Sequence, residues 1–253
     1  MSILEHLGLA LVALIANGFS ALAGGGAGLL QLPALIFLGL PYPVALATHK
    51  IATVALGAGA GLRHVKESTF SPARLGVILG AGVPGVLLGA WLVLEIPPRA
   101  GEIALGLLTV ALGWYSWRRP QLGQKRRVTS DSLNHALIGA AGLFVIGALN
   151  GSLASGTGLM VTLWLVRWYG MSYTEAVGYT MVLVGLVWNG AGALMLGTFG
   201  TVQWNWLPAL LLGSFIGGYL GATLAIRYGN RLVKRAFEVV TVLTGIALLL
   251  PVP

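Results

Sequence analysis

The sequence contains no cysteine among its 253 residues. Disulfide bonds, a thiolate nucleophile and a cysteine-ligated metal are therefore excluded. Charged residues are also scarce, at 9% of the chain, whereas a soluble domain carries roughly 25%. Because the shortage of charge extends along nearly the whole length, we predict an integral membrane protein and not a soluble domain with one anchor.

Acidic residues are the rarer of the two charge types, with seven Asp and Glu against fifteen Lys and Arg, which gives a formal net charge of +8. In a membrane protein this excess is typical of cytoplasmic loops, so the bilayer is the expected partner and nucleic acid is not. The first apolar segment, from Ile3, has no Lys or Arg on its flank. It is predicted to be a retained membrane helix and not a cleaved signal.

Long apolar runs bounded by charge, Pro or Gly fill most of the chain. They cover residues 3–23, 27–41, 44–62, 73–94, 101–117, 133–150, 157–170, 174–196, 206–226 and 236–251. A spanning helix needs about 20 residues, and only the second and seventh runs are clearly short, each beginning at a Gly-rich break. The predicted fold class is an all-α membrane protein of about ten transmembrane segments, with short or broken helices at segments 2 and 7.

The chain also resembles itself in a consistent order. The matched pairs are "NGFSALAGGGAGLL" (17–30) with "NGSLASGTGLM" (150–160), "GLPYPVALATHK" (39–50) with "GMSYTEAVGYTM" (170–181), "GAGAGL" (57–62) with "WNGAGAL" (188–194), and "RAGEIALGLLT" (99–109) with "RAFEVVTVLTG" (235–245). Four matches in one order predict two homologous transmembrane halves, 1–117 and 133–253, joined by a polar linker, 118–132.

Each half holds five runs, an odd number, so the second half is predicted to be inverted relative to the first. The linker "RRPQLGQKRR" is strongly basic and is predicted to be cytoplasmic. Counting outward from it, the basic loops 63–74 and 227–235 fall on the same side as the linker, and the chain termini fall on the other. We therefore expect a multi-pass protein of the cell inner or plasma membrane, with both termini non-cytoplasmic.

Inverted repeats are characteristic of secondary transporters, whose substrate site lies near the midplane where interrupted helices meet. An interrupted helix leaves backbone N–H groups unpaired, and their partial positive charge favours an anion. Candidate residues for binding at the first break are Asn17, Ser20, Gly24, Gly25, Gly26, Gly28 and Gln31, and those at the second are Asn150, Ser152, Ser155, Gly156, Thr157 and Gly158. The alternative is that the glycines only let neighbouring helices pack closely.

An ionisable residue inside the third run strengthens the anion hypothesis. Lys50 lies ~9 Å along that helix, and a charge inside the membrane is by default a functional-site hypothesis. With no acidic residue nearby in sequence, Lys50 suits an anionic substrate; alternatively it snorkels to the interface. Its neighbour His49 either carries a proton or stays neutral and hydrogen-bonded. Further candidates are Thr48, Tyr179, Thr180 and Asn189.

The glycine-rich break followed by "LP", then "GLPYPVALATHK", and the copy "AVGYT" in the second half resemble the sulfite exporter TauE/SafE family over essentially the whole chain. The resemblance implies a multi-pass membrane protein associated with export of sulfite, sulfoacetate or related sulfur oxyanions. In this family the first-half pattern often reads Ala-x-x-Thr followed by Ser or a small residue. Here His49 and Lys50 follow Thr48.

The leading hypothesis is a secondary transporter that exports a small sulfur-containing anion by alternating access; the alternative is an anion channel or facilitator for a different substrate. Proton coupling and facilitated flux both stay open, as does a homodimer. An intramembrane enzyme is disfavoured, because a nucleophile such as Ser155 needs a base in reach and no histidine follows it in the chain. We predict no catalytic residue, no cofactor and no metal site.

Overall fold

The computed structural model describes residues 3–67, 70–92, 98–129, 132–152 and 156–250. Every regular element within these ranges is helical. Six of the described helices are long and apolar enough to cross a membrane. The predicted class, an all-helical multi-pass membrane protein, is confirmed at this level.

The first half of the chain forms five α-helices and one 3-10 turn. These are α1 (Ile3–Ala23), a 3-10 turn (Ala27–Leu29), α2 (Gln31–Phe37), α3 (Tyr42–Glu67), α4 (Pro72–Leu92) and α5 (Pro98–Trp117). The second predicted run therefore folds as a turn followed by a helix of only 7 residues. At 1.5 Å per residue such a helix is far shorter than the ~30 Å hydrocarbon core of a bilayer.

The second half is built similarly but contains two irregular segments. Its elements are α6 (Leu133–Ser152), α7 (Thr157–Arg167), α8 (Tyr173–Tyr179), a π-helical segment (Thr180–Trp188), α9 (Asn189–Phe199), a 3-10 turn (Trp204–Trp206) and α10 (Leu207–Leu249). The seventh run is the 11-residue α7. Gly229, with φ 69° and ψ −167°, divides α10 into two helices, because only glycine adopts that conformation readily.

Helices of the two halves pack directly against each other. The largest interfaces are α1 with α10, α4 with α6, and α3 with α10. Glycine makes these approaches close, since a Cβ at Gly221 would lie 2.1 Å from the Gly18 carbonyl oxygen and one at Gly89 would lie 1.9 Å from that of Ala148. Small residues allow such backbone contact between membrane helices, so these glycines serve helix packing. The two predicted halves are interleaved in space.

Hydrogen bonds join several basic segments at one end of the helix bundle. The Arg127 amide donates to the Gly170 carbonyl at 2.7 Å, and the Asn230 side chain donates to the Gln124 carbonyl at 2.9 Å. Nearby, Arg74 pairs with Glu175 at 2.8 Å. The linker, the start of α4, the turn before α8 and the break in α10 therefore share one end.

Candidate functional site

The two glycine-rich breaks predicted from the sequence lie in direct contact. A Cβ at Gly25 would lie 2.4 Å from the Leu159 amide nitrogen and 2.6 Å from the Gly158 carbonyl carbon. Beside this contact, the Thr162 hydroxyl donates to the Gly24 carbonyl at 2.8 Å. The backbone turns through left-handed conformations at Gly24, Gly25, Gly26 and Gly156, with φ of 87°, 145°, 97° and 80°. Glycine is thus required here by both conformation and space.

A small cavity of about 40 Å³ lies between the two breaks. Its lining consists of Ser20, Gly25, Gly26, Ala27, Gly28, His49, Lys50, Thr53, Leu56, Asn150, Gly156, Thr157, Gly158, Thr180, Met181, Val184, Gly185 and Asn189. One ordered water needs roughly 10–15 Å³ of such space. The cavity therefore holds a few waters or one compact ligand, and both halves of the chain contribute to it.

Lys50 is the cation of this cavity. Its side chain does not snorkel to the interface, because the residue is only 1% exposed. The ammonium Nζ donates to the Asn150 carbonyl at 2.6 Å and to the Asn150 Oδ1 at 3.2 Å. Within the described part of the chain, the ion pairs found join other residues, and no carboxylate lines the cavity. A buried charge without a counter-charge is costly, so the cavity is suited to an anion.

Asn150 links three elements around the cavity. Its amide Nδ2 donates to the Thr157 hydroxyl at 2.9 Å and approaches the Asn189 Oδ1 at 3.4 Å. The end of α6, the start of α7 and the start of α9 are held together by these bonds. Thr157 stands in the first turn of α7, where backbone N–H groups lack intrahelical partners and carry partial positive charge. The positive field of Lys50 and that of the helix end therefore overlap.

Four further polar side chains line the cavity: the predicted Ser20, His49 and Thr180, and also Thr53. His49 is buried, and its Nδ1 has no hydrogen-bond partner in the structure. The Thr180 hydroxyl donates to the Ala176 carbonyl at 2.9 Å, and its oxygen lies 3.0 Å from that of Thr162. Thr53 was not predicted from the sequence; its hydroxyl donates to the Lys50 carbonyl at 2.9 Å. A signal for it existed, because a residue three positions after Lys50 lies on the same helix face.

Some predicted site residues are buried near the cavity but do not line it. Asn17 donates to the Gln31 Oε1 at 2.9 Å and to the Ser214 hydroxyl at 2.9 Å, which ties α1 to α2 and α10. Thr48 accepts from the Gln203 amide at 3.0 Å on the other side of α3. These side chains hold the helices that frame the cavity.

The remaining predicted residues have structural partners or fall outside the description. The Ser152 hydroxyl donates to the carbonyl one helical turn earlier, at Ala148. Tyr179 accepts from the Ser71 amide at 2.6 Å, away from the cavity. Ser155 lies outside the described residues, so its role in anion binding stays a prediction.

The π-helical segment contributes a part of the cavity wall of which sequence reasoning had predicted only Thr180. Met181, Val184 and Gly185 line the cavity from it. Gly185 also meets α3 closely, since a Cβ at Gly57 would lie 2.4 Å from the Gly185 carbonyl carbon. Short π-helical stretches are rare and occur frequently at functional sites.

An all-helical membrane protein with a buried electropositive cavity between two interrupted helices has the architecture of a membrane transporter. The chain belongs to the sulfite exporter TauE/SafE family, whose family model matches residues 9–248. The family resemblance noted in the sequence is thereby confirmed. Family and architecture together indicate a transporter and not an enzyme.

Curated relatives agree with this assignment. The chain is 27% identical over 223 residues to a "Probable membrane transporter protein" of Haemophilus influenzae, covering 88% of this chain and 86% of the relative. It is 29% identical to "Probable membrane transporter protein ORF9" of a Sinorhizobium species, covering 94% and 89%. It is 26% identical to "Probable membrane transporter protein YfcA" of Escherichia coli, covering 94% and 87%.

Proposed function

We propose that this protein is a secondary transporter that exports a small sulfur-containing anion by alternating access. The anion binds in the cavity between the two glycine-rich breaks. The observation that carries this proposal is the buried Lys50 ammonium, which has no carboxylate partner among the described residues. A bound anion supplies the missing counter-charge, and the family description supplies the sulfur oxyanion class.

In the proposed binding mode the anion occupies the cavity. Its oxygens accept hydrogen bonds from Lys50 Nζ and from the backbone N–H groups in the first turn of α7. Asn150 and Asn189 border the same space and orient the anion. The volume of about 40 Å³ favours compact sulfite over sulfoacetate or a similar organosulfonate in this conformation.

The proposed architecture has ten membrane segments arranged as two inverted five-segment repeats. Short helices occur at the matching positions, α2 in the first half and α7 in the second. Hydrogen bonds that gather basic segments at one end agree with a cytoplasmic linker 118–132 and termini on the other side of an inner membrane. Halves 1–117 and 133–253 then rock against each other around the cavity.

Proton coupling is the energy source that the cavity favours. His49 lines it, and its Nδ1 has no hydrogen-bond partner among the described residues, which leaves this nitrogen open to accept a proton. No group of three His, Asp or Glu side chains that would bind a metal ion exists among the described residues. A facilitator without coupling is the alternative, and a pH gradient separates the two.

The test is anion flux into proteoliposomes, measured for sulfite, sulfate, sulfoacetate and chloride with and without a pH gradient. We expect sulfite flux, and we expect Lys50→Gln to lower it at least about tenfold, since a hydrogen bond to a charged group is worth about 1.5–3 kcal/mol. The matched control is Lys66→Gln, which removes a lysine from the exposed end of the same helix.

Three outcomes contradict parts of the proposal. If the wild-type protein carries none of the tested anions, the proposed anion transporter is ruled out. Equal flux in Lys50→Gln and Lys66→Gln rules out the buried ammonium as the binding group. Flux that is insensitive to the pH gradient replaces the coupled transporter with a facilitator.

A further inference from the structure

Four arginines line a second pocket, at the basic end of the helix bundle. Arg118 and Arg119 follow the end of α5, Arg127 belongs to the linker, and Arg167 ends α7. The pocket has a volume of about 470 Å³, and no carboxylate is among its described lining residues. Concentrated charge of one sign in a concave site attracts a ligand of the opposite sign.

Aromatic side chains hold three of these guanidinium groups. Arg167 Nε donates to the Tyr115 hydroxyl at 2.9 Å, and the Arg119 guanidinium lies 5.3 Å from the centroid of the Tyr115 ring. The Arg118 guanidinium lies 4.7 Å from the Trp114 ring centroid. Stacking orders a guanidinium while leaving most of its five N–H donors free. The planar donor fork matches the oxygens of a phosphate group.

The pocket borders a surface suited to the membrane interface. Trp114 and Trp117 precede Arg118 on the last turn of α5 and are 55% and 64% exposed. Exposed tryptophan at the end of a membrane helix marks the level of the lipid headgroups. A pocket at this level lies beside phospholipid headgroups, so a lipid is the occupant that the position favours.

We propose that the four-arginine pocket binds the phosphate headgroup of an anionic phospholipid and that the bound lipid supports transport. The link is α7, an 11-residue helix whose first residue, Thr157, lines the substrate cavity and whose last, Arg167, lines the arginine pocket. Lipid held at one end of this rigid helix steadies the other end. The binding claim stands alone, while the effect on transport rests on the proposed function.

Native mass spectrometry of the detergent-solubilised protein tests the binding claim. We expect phosphatidylglycerol to be retained and phosphatidylcholine to be lost. The double variant R118Q/R119Q should retain phosphatidylglycerol about tenfold less well, because each basic residue near a membrane surface contributes measurably to anionic-lipid affinity. The matched control is K125Q/R126Q, which removes the same charge from exposed linker positions outside the pocket and should bind like wild type.

Equal retention by the two double variants overturns the pocket as a specific site. Displacement of the lipid by soluble glycerol phosphate at equal concentration also overturns the lipid assignment, because the site then prefers a free phosphate ester. Adding phosphatidylglycerol to phosphatidylcholine liposomes should raise sulfite flux for K125Q/R126Q and not for R118Q/R119Q. Lipid retention without any anion flux leaves the lipid site standing while the proposed function fails.

Discussion

At the scale of single residues, the chemistry of the cavity depends on the contact between Lys50 and Asn150. The ammonium reaches both the backbone and the side-chain oxygen of Asn150, which are neutral acceptors. Neutral acceptors solvate a buried cation without cancelling its charge. An anion entering the cavity therefore meets a positive field that has not been neutralised by the protein.

Asn150→Asp should separate binding from folding. The new carboxylate supplies the counter-charge that Lys50 lacks, so we expect sulfite flux to fall at least about tenfold. The thermal unfolding temperature in detergent should fall less than in Asn150→Leu, because the new charge pair with Lys50 offsets part of the loss of the donor to Thr157. Radiolabelled flux in proteoliposomes and unfolding followed by size-exclusion chromatography measure the two quantities.

Asn150→Leu is the companion variant, with a similar volume but no side-chain polar group. It removes one acceptor from Lys50 and the donor to Thr157, so it should lower the unfolding temperature. Wild-type flux in Asn150→Asp would contradict the anion site. A loss of stability equal to that of Asn150→Leu would contradict the pairing argument.

Single residues were predicted from sequence where polarity interrupts an apolar run, as at Lys50, Asn150 and Thr157. The direction in which each side chain points was not predicted. Adjacent residues on a helix point about 100° apart, so Thr48, His49 and Lys50 cannot all face one cavity. In the structure His49 and Lys50 line the cavity, whereas the Thr48 hydroxyl accepts a hydrogen bond from the Gln203 amide. A single sequence does not show which helix packs against which face of α3.

At the scale of elements, the site depends on the two glycine-rich breaks lying against each other. Gly25 and Gly158 touch through backbone atoms, and any side chain there would push the two breaks apart. The contact brings the first turn of α7 within reach of the loop that precedes α2. The same glycines that interrupt the helices therefore also let the two breaks come into contact.

Gly25→Ala should disrupt this contact. The added Cβ would lie 2.4 Å from the Leu159 amide nitrogen, which no real structure tolerates without a backbone shift. We expect a lower unfolding temperature, from at least about 1–3 kcal/mol of strain plus the clash, together with loss of sulfite flux. Thermal unfolding and flux assays check both effects.

Gly39→Ala is the matched control for this variant. Gly39 also has a positive φ, 96°, but a Cβ there would meet nothing within 4 Å. It should therefore show conformational strain without loss of flux. If both variants lose flux equally, strain and not the contact between the breaks is responsible.

The short helices were predicted because two apolar runs that begin at glycine clusters are too short to span a bilayer. The π-helical segment Thr180–Trp188 was not predicted. Its residues are almost all apolar, and π-helical and α-helical turns have no distinct residue preference that a single sequence displays. Packing against Gly57 is a tertiary contact, and such contacts override local preference.

At the scale of the whole molecule, the all-helical membrane class follows from scarcity of charge and long apolar runs. The pairing of helices does not, because lipid is as apolar as the helix surfaces and hydrophobicity selects no partner. The partner choice lies in the positions of small residues, as where Gly221 meets Gly18 and Gly89 meets Ala148. Such positions are abundant in a chain with 38 glycines, which is why the sequence alone left the interleaving of the halves open.

The inverted repeat predicts that matching loops of the two halves lie on opposite sides of the membrane. Because the chain has no cysteine, single cysteines can be introduced without a background. Lys66→Cys and Thr201→Cys lie at the ends of matching segments, and Val128→Cys lies in the linker; all three positions are exposed. A membrane-impermeant maleimide applied to intact cells should label Thr201→Cys alone, and lysis should be needed to label the other two.

The comparison of Lys66→Cys with Thr201→Cys decides whether the halves are inverted, because the loops that hold these two positions are equivalent in the repeat. Labelling of both from the same side would leave the halves parallel, and the two breaks would then enter the bilayer from one side. Labelling of Val128→Cys in intact cells would instead reverse the whole molecule and leave the inversion intact. Opposite loops with a cytoplasmic linker are the outcome that the inverted repeat predicts, and rocking of two inverted halves would open one anion site alternately to either side.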